Sequence, residues 1–240
     1  MKILVTSGGT KIPIDSVRDI TNMSTGTFGS KIGFELLKLG HELVFYKAKN
    51  SKSPMSLNID LTKGYELGQF TSWYNSRSKF ISKYVEYDYS TFDQYAEGLK
   101  FIIAVEQPDV IVLAAAVSDY GVENTVKGKM RSNDMFNIKL TQLPKLINRV
   151  KEWAPNAKLV GFKLLVNSKE SDLIAAAKRS IDENGCDLVV ANDLDDIKNN
   201  HHRIHLVSKK DMFLTTVNYV QSPNEPNYLA EVIAKRIEIL

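Results

Sequence analysis

From its third residue to about residue 193 the chain alternates short apolar runs with stretches of helical periodicity. Residues 3–6 are apolar and end at Gly8-Gly9, which reads as a buried strand. Residues 28–39 carry Phe28, Ile32, Leu36 and Leu39 at helical spacing, and Gly40 follows as a natural stop. The same reading gives strands at 41–48, 109–117, 159–165 and 188–191, and helices at 92–106, 146–153 and 171–183. Such alternation predicts an α/β fold: a Rossmann-like, mostly parallel sheet with helices on both faces. The tail reads as a C-terminal β-hairpin, 204–208 with 212–217, followed by a helix over 228–240. Two stretches break the pattern. Residues 50–89 are polar and aromatic with weak periodicity, an excursion or interface element. Residues 120–143 hold an alternating segment, 136–140, that suits an exposed strand or ribbon.

Composition bounds the function. The 240 residues form one domain, 1–240, with 43% hydrophobic and 25% charged residues, ordinary globular usage that excludes a mainly disordered chain and a membrane bundle. The net charge of +3 excludes a strongly basic nucleic-acid coat and leaves room for a local basic site, so no nucleic-acid partner is expected. The longest apolar run, 110–117, is far below the ~20 residues that span a bilayer, so no membrane partner is expected. The single cysteine, Cys186, makes no internal disulfide and fits a reducing compartment; a cytoplasmic protein is expected.

In open α/β sheets ligands bind beyond the carboxyl ends of the strands. Those ends here carry Ser7-Gly8-Gly9-Thr10, Ala114-Ala115-Ala116-Val117-Ser118-Asp119, Lys163 and Asn192-Asp193. The segment from Asn22 to Gly29 opens the first helix with Ser24, Gly26 and Gly29. Glycines there let a backbone approach a phosphate at the helix start, and Ser24 or Thr25 could equally be only the N-cap. A nicotinamide fold is disfavoured: a long loop, 8–24, separates the first strand from its helix, and the second strand ends at Lys47-Ala48-Lys49 without an acid. Lys127-Gly128-Lys129-Met130-Arg131 is either a solvated loop or a flap that closes on a polyphosphate, where cations stabilise charge on phosphorus. His201, His202 and His205 lack supporting cysteines and are discounted as a metal site; Asp195-Asp196 reads as a turn and Cys186 as a buried inert thiol.

Taken together, the motifs resemble one family, phosphopantothenoylcysteine synthetase (phosphopantothenate–cysteine ligase). The pieces are Ser7-Gly8-Gly9-Thr10 with Val17-Arg18, Asn22-x-Ser24-x-Gly26-x-x-Gly29, residues 114–119, Lys129-Met130-Arg131-Ser132, Leu143-Pro144-Lys145, Gly161-Phe162-Lys163-Leu164 and Val190-Ala191-Asn192-Asp193. The resemblance implies a ligase of coenzyme A biosynthesis. A nucleoside triphosphate, CTP or ATP, activates the carboxylate of 4′-phosphopantothenate as an acyl-nucleotidylate, with Mg²⁺. The amine of cysteine then displaces the nucleotide.

By that resemblance Asn22 binds the acyl-nucleotidylate and Lys129 contacts the α-phosphate. Gly8, Ser24, Gly26, Gly29, Phe162 and Asn192 bind the nucleotide. Ala115, Ala116 and Asp119 lie at the junction with phosphopantothenate, and Arg18 reaches the substrate phosphate of a neighbouring subunit, which implies a homodimer with shared sites. No metal-ligating residue is assigned. Many family members are fused to a flavin decarboxylase; Met1 stands directly before the first strand here, so a monofunctional chain without flavin is expected. The chain departs from the family pattern at Arg131-Ser132, where lysines are common, and at Leu165-Val166, where Glu-Thr is usual. A non-catalytic nucleotide sensor on the same fold is the alternative.

Overall fold

The computed structural model describes residues 1–56, 66–131, 137–199, 201–209, 214–220 and 227–240. In chain order the elements are β1 (Lys2–Ser7), β2 (Lys11–Pro13), β3 (Asp19–Thr21), α1 (Thr27–Lys38), β4 (Glu42–Ala48), α2 (Glu66–Arg77), a 3-10 turn (Ser78–Lys83), β5 (Tyr84–Tyr89), α3 (Phe92–Glu106) and β6 (Val110–Leu113). They continue with β7 (Tyr120–Val122), β8 (Leu140–Gln142), α4 (Ile147–Trp153), β9 (Lys158–Leu165), α5 (Glu170–Asn184), β10 (Leu188–Asp193), α6 (Leu194–Lys198), β11 (His201–Ser208), β12 (Leu214–Val220) and α7 (Tyr228–Glu238). Among the described residues no helix is long and apolar enough to cross a membrane.

The main sheet has eight strands in the order β12-β11-β10-β9-β6-β1-β4-β5. Six of them, β5-β4-β1-β6-β9-β10, are mutually parallel. Numbered among themselves they run 3-2-1-4-5-6, the order of a doubly wound nucleotide-binding sheet. The β11–β12 hairpin closes one edge antiparallel. Because successive strand side chains point to opposite faces, Ile3, Val5, Val112 and Val190 pack under α1 and α7 on one side. Leu4, Ile111, Leu159 and Val189 pack under α3, α4 and α5 on the other. The expectation of helices on both faces therefore holds.

Local chemistry sets the helix ends. Thr91 and Gln94 form a capping box at the start of α3. That helix ends at Gln107, a left-handed cap, and Pro108 after it cannot continue the helix.

Several sequence expectations are corrected. The stretch 50–89 ends in β5, the edge strand of the sheet. Its sequence, YVEYDY, lacks an apolar run because most of its side chains are exposed or half-exposed at an edge. The long loop 8–24 contains the antiparallel β2–β3 hairpin. The strand expected over 109–117 spans only Val110–Leu113, and Ala116 returns to pair with Gly9 as an isolated bridge. The exposed strand expected over 136–140 begins at Leu140, where β8 pairs with β7; residues 132–136, Ser132 among them, lie outside the described residues, as do Lys210 and Asp211 of the expected hairpin turn and the first two residues of its expected second strand, 212–217. Asp195-Asp196 belong to α6, capped by the Asp193 carboxylate, and are not a turn.

Candidate active site

The sheet reverses its winding between β1 and β6, and the exits of these two strands are laced together. Gly8 leaves β1 with φ +87°, a conformation glycine adopts without steric cost. Its carbonyl accepts the Ala116 amide at 2.8 Å, and the Thr10 amide donates to the Ala116 carbonyl at 3.2 Å. The Ser118 amide donates to Thr10 Oγ1 at 3.0 Å, and the Ala115 amide to Thr6 Oγ1 at 3.3 Å. From the far edge of the sheet, the buried Tyr89 hydroxyl donates towards the Ser7 and Gly8 carbonyls, 2.8 and 3.2 Å away, and fixes the turn from below. Asn22, just past β3, donates its side-chain amide to the Ala116 carbonyl at 3.0 Å. The Ser24 amide returns to the Asn22 carbonyl at 2.9 Å. Asn22, Gly8, Ala115 and Ala116 are thus one bonded group.

The start of α1 is pressed against the same turn. Ser7 Oγ donates to the Gly26 carbonyl at 3.1 Å. Gly26 caps the helix in the left-handed region with no side-chain cap, and no acid stands in the first turn. The positive end of the helix dipole is therefore available to an anion. Two cations stand near it. The Lys52 amide donates to the Thr25 carbonyl at 2.9 Å, and burial together with the charge of Lys52 holds Lys31 below the usual lysine range. A Cβ at Gly29 would sit 2.5 Å from Ser7 Oγ, so the helix approaches the strand only because that position is glycine. Gly29→Ala is expected to lower stability by about 1–3 kcal/mol through overpacking, read as a lower urea midpoint, and to weaken nucleotide binding in calorimetry.

Strands β9 and β10 supply the other wall. Phe162 meets Phe28 of α1 edge to face, centroids 6.2 Å apart. Asn192 is the penultimate residue of β10, beside Leu164 of β9. Its neighbour Asp193 is buried and accepts the Asn167, Ser168 and Asp195 amides at 3.2, 2.8 and 2.9 Å. Burial alone would raise its pKa, but these amides outweigh burial and lower it. A depressed carboxylate contributes stability above its unfolded pKa, which is lost as pH falls through the folded value. Acid unfolding is therefore expected below pH ~4. Asp193→Ala should cost about 0.5–2 kcal/mol as a lost cap and flatten that acid limb in pH-dependent melting curves.

Arg18 and Lys129 form a second patch, at the tip of the β2–β3 hairpin. Asp15, buried under this tip, accepts the Val17 and Arg18 amides at 2.8 Å each and the Met130 amide at 3.2 Å. The Val17 amide foremost, against a smaller opposing effect of burial, with help from Met130, Arg18 and the Arg18 charge, holds its carboxyl below the usual range. The Arg18 guanidinium lies 3.4 Å from Asp15 and donates to the Met130 carbonyl at 3.4 Å. The Ser16 amide donates to the Gly128 carbonyl, and the Gly128 amide to Ser16 Oγ, each at 3.1 Å. The segment with Lys127, Lys129 and Arg131 is therefore docked on the hairpin, with all three cations exposed. Asp119 is exposed at the end of the β6 exit, its carbonyl accepting the Leu143 amide at 2.9 Å.

Sequence reasoning missed Asp15 and the Lys31–Lys52 pair, and reads Tyr89 only as a core or subunit-contact side chain; its burial fits the core reading, and its bonds to the β1 exit are added by the structure. Only Asp15 carried a signal, an Asx-type turn in Asp-Ser-Val-Arg. No group of three His, Cys, Asp or Glu side chains suited to a metal occurs among the described residues. Burial pushes the Cys186 thiol up to about 11, as expected of an inert cysteine.

A family model described as the DNA/pantothenate metabolism flavoprotein C-terminal domain matches residues 1–63 and 98–237. The chain belongs to this family. It is 33% identical over 208 residues to the coenzyme A biosynthesis bifunctional protein CoaBC of Thermococcus kodakarensis, covering 87% of this chain and 45% of that protein. It is 30% identical over 227 residues to phosphopantothenate–cysteine ligase 2 of Oryza sativa, covering 82% of this chain and 69% of the relative. This family chain thus spans less than half of the archaeal relative and about two thirds of the rice one. The crystal structure of the DNA/pantothenate metabolism flavoprotein from Streptococcus pneumoniae superimposes with TM-score 0.77 at 30% identity, over 100% of this chain and 99% of that one. A Cab2 mutant in complex with phosphopantothenate-cysteine superimposes with TM-score 0.81 at 25% identity, over 99% and 85%.

Proposed function

We propose that the chain is a phosphopantothenate–cysteine ligase. The carboxylate of 4′-phosphopantothenate attacks the α-phosphorus of CTP or ATP, and pyrophosphate leaves. The amine of cysteine then attacks the acyl carbon, forms the amide, loses a proton and expels the nucleoside monophosphate. What supports this reading above all is the bonded group at the β1–β6 crossing. An amide donor, Asn22, stands there beside a glycine-opened helix start flanked by Lys31 and Lys52. A carboxylate is a poor electrophile, and the chemistry needs negative charge at phosphorus stabilised by fixed donors. In this reading Gly8, Ser24, Gly26 and Gly29 line the triphosphate, and Phe162 and Asn192 flank the nucleotide. Ala115, Ala116 and Asp119 border phosphopantothenate. The exposed Asp119 carboxylate would offer Mg²⁺ a hard oxygen donor, and the ion when bound would supply charge neutralisation.

The test is direct. The protein is incubated with 4′-phosphopantothenate, cysteine, Mg²⁺ and CTP or ATP, and pyrophosphate is followed. Release that depends on phosphopantothenate supports the ligase. Nucleotide binding without release from either triphosphate favours the non-catalytic sensor. We further propose a homodimer in which Arg18 of one subunit meets the substrate phosphate of the other. Mixing Arg18→Ala with an Asn22-defective subunit is then expected to restore up to about a quarter of the activity, because about half of the pairings are mixed and each of these leaves one of its two sites intact. No restoration would make each subunit self-contained.

A further inference from the structure

Strand β9 turns alternate side chains to the two faces of the sheet. Phe162 lies on the α1 and α7 face, against Phe28. Leu159, Gly161, Lys163 and Leu165 lie on the other. A Cβ at Gly161 would meet Ile147 Cδ1 at 3.5 Å, so the start of α4 roofs this face one pleat below Lys163. The register joins Gly161 to Leu113 of β6 and Leu113 to Thr6 of β1. Thr6 Oγ1 accepts the Ala115 amide at 3.3 Å and the hydroxyl of Tyr95, a core residue of this same face, at 3.3 Å. Lys163 stands about 6–7 Å beyond that row, towards the carboxyl ends of the strands. Its partner in β10 is Ala191, so its neighbours on this face are small. Among the described residues, Lys163 is the one half-buried lysine or arginine for which the structure shows no hydrogen bond or ion pair. A charge drawn out of water is ordinarily paired. An unpaired ammonium at the ligand-binding edge of the sheet therefore points to an anionic ligand.

We propose that Lys163 binds the carboxylate of the incoming cysteine, and so selects an α-amino acid over a simple amine. The proposal rests on the ligase reading. In that reading the triphosphate is met by the start of α1, Lys31, Lys52 and Lys129, and the phosphate of phosphopantothenate by Arg18 of the partner subunit. The cysteine carboxylate is the one anionic group left without a cation. Lys163 is on the opposite face from Phe162, which flanks the nucleotide, and on the same face as Ala115, which borders phosphopantothenate. A charge-assisted hydrogen bond from its ammonium holds the carboxylate and turns the amine towards the acyl carbon. The first half-reaction, which precedes the amino acid, makes no use of it.

The experiment compares cysteine with cysteamine, which keeps the amine and the thiol and lacks the carboxylate. Amide formation from each is followed in the full chain and in Lys163→Gln, with 4′-phosphopantothenate, Mg²⁺ and CTP or ATP. The unsubstituted chain is expected to favour cysteine in kcat/KM by about 10–100-fold, as for one hydrogen bond to a charged group. Lys163→Gln should lose that preference through a higher KM for cysteine, with cysteamine and the KM for the triphosphate unchanged. Lys163→Arg, which keeps the charge, should restore part of it. Pyrophosphate release in a single turnover without cysteine should be equal in all three chains. An equal loss with both amines, an unaltered preference, no preference in the unsubstituted chain, or slower pyrophosphate release in Lys163→Gln would each overturn the assignment. No amide from either amine in the unsubstituted chain would instead sink the ligase reading, and this role with it. Lys163→Met is read in the same way should Lys163→Gln lose the fold.

Discussion

Asn22→Asp is expected to uncouple the two half-reactions, with the acyl-nucleotidylate forming slowly and accumulating while the final amide falls. The Asn22 side-chain amide stands at the meeting of the β1 and β6 exits, donating to the Ala116 carbonyl. In aspartate that donor becomes a carboxylate facing a carbonyl oxygen and, in the proposed reaction, a second anion. Repulsion at the acyl carbonyl would lower the rate of attack by cysteine more than binding of the triphosphate. Removing one donor of this kind costs about 10²–10³ in rate. Single-turnover experiments with labelled nucleotide would show the intermediate directly. Unchanged turnover would remove Asn22 from the mechanism.

Lys129→Ala is expected to slow the first half-reaction by about 10²–10³, the loss of one charge-stabilising group at phosphorus. Pyrophosphate release in the absence of cysteine is the measurement. The substitution should leave the melting temperature nearly unchanged, because Lys129 is exposed and its loop is fastened by backbone bonds from Gly128 and Met130. An unaltered rate would hand the role to Lys127 or Arg131 on the same loop.

The layered α/β architecture was legible because the parallel strands β1, β6, β9 and β10 are buried on both faces and so read as continuous apolar runs. The same logic hid β5. An edge strand with a wet outer side needs no such run, and its tyrosines and acids read as irregular chain. The β2–β3 hairpin was equally invisible, since three-residue strands carry almost no periodicity. At the candidate site, Gly26 and Gly29 were readable as a helix opening. The bonds from Tyr89 to the Ser7 and Gly8 carbonyls were not, because they join residues more than eighty positions apart. Lys129 and Asn22 were singled out on the same motif pattern, yet the fold assigns them to different ends of the hairpin.

That hairpin is fastened twice. Its base is tied to the β6 exit through Thr10 and Asn22, and its tip is clamped by Asp15 and Ser16 to the loop carrying Lys129. A part anchored at both ends is braced, so one three-residue ribbon sets the separation between Asn22 at its base and Arg18 at its tip, and loosening either clamp would be felt at both.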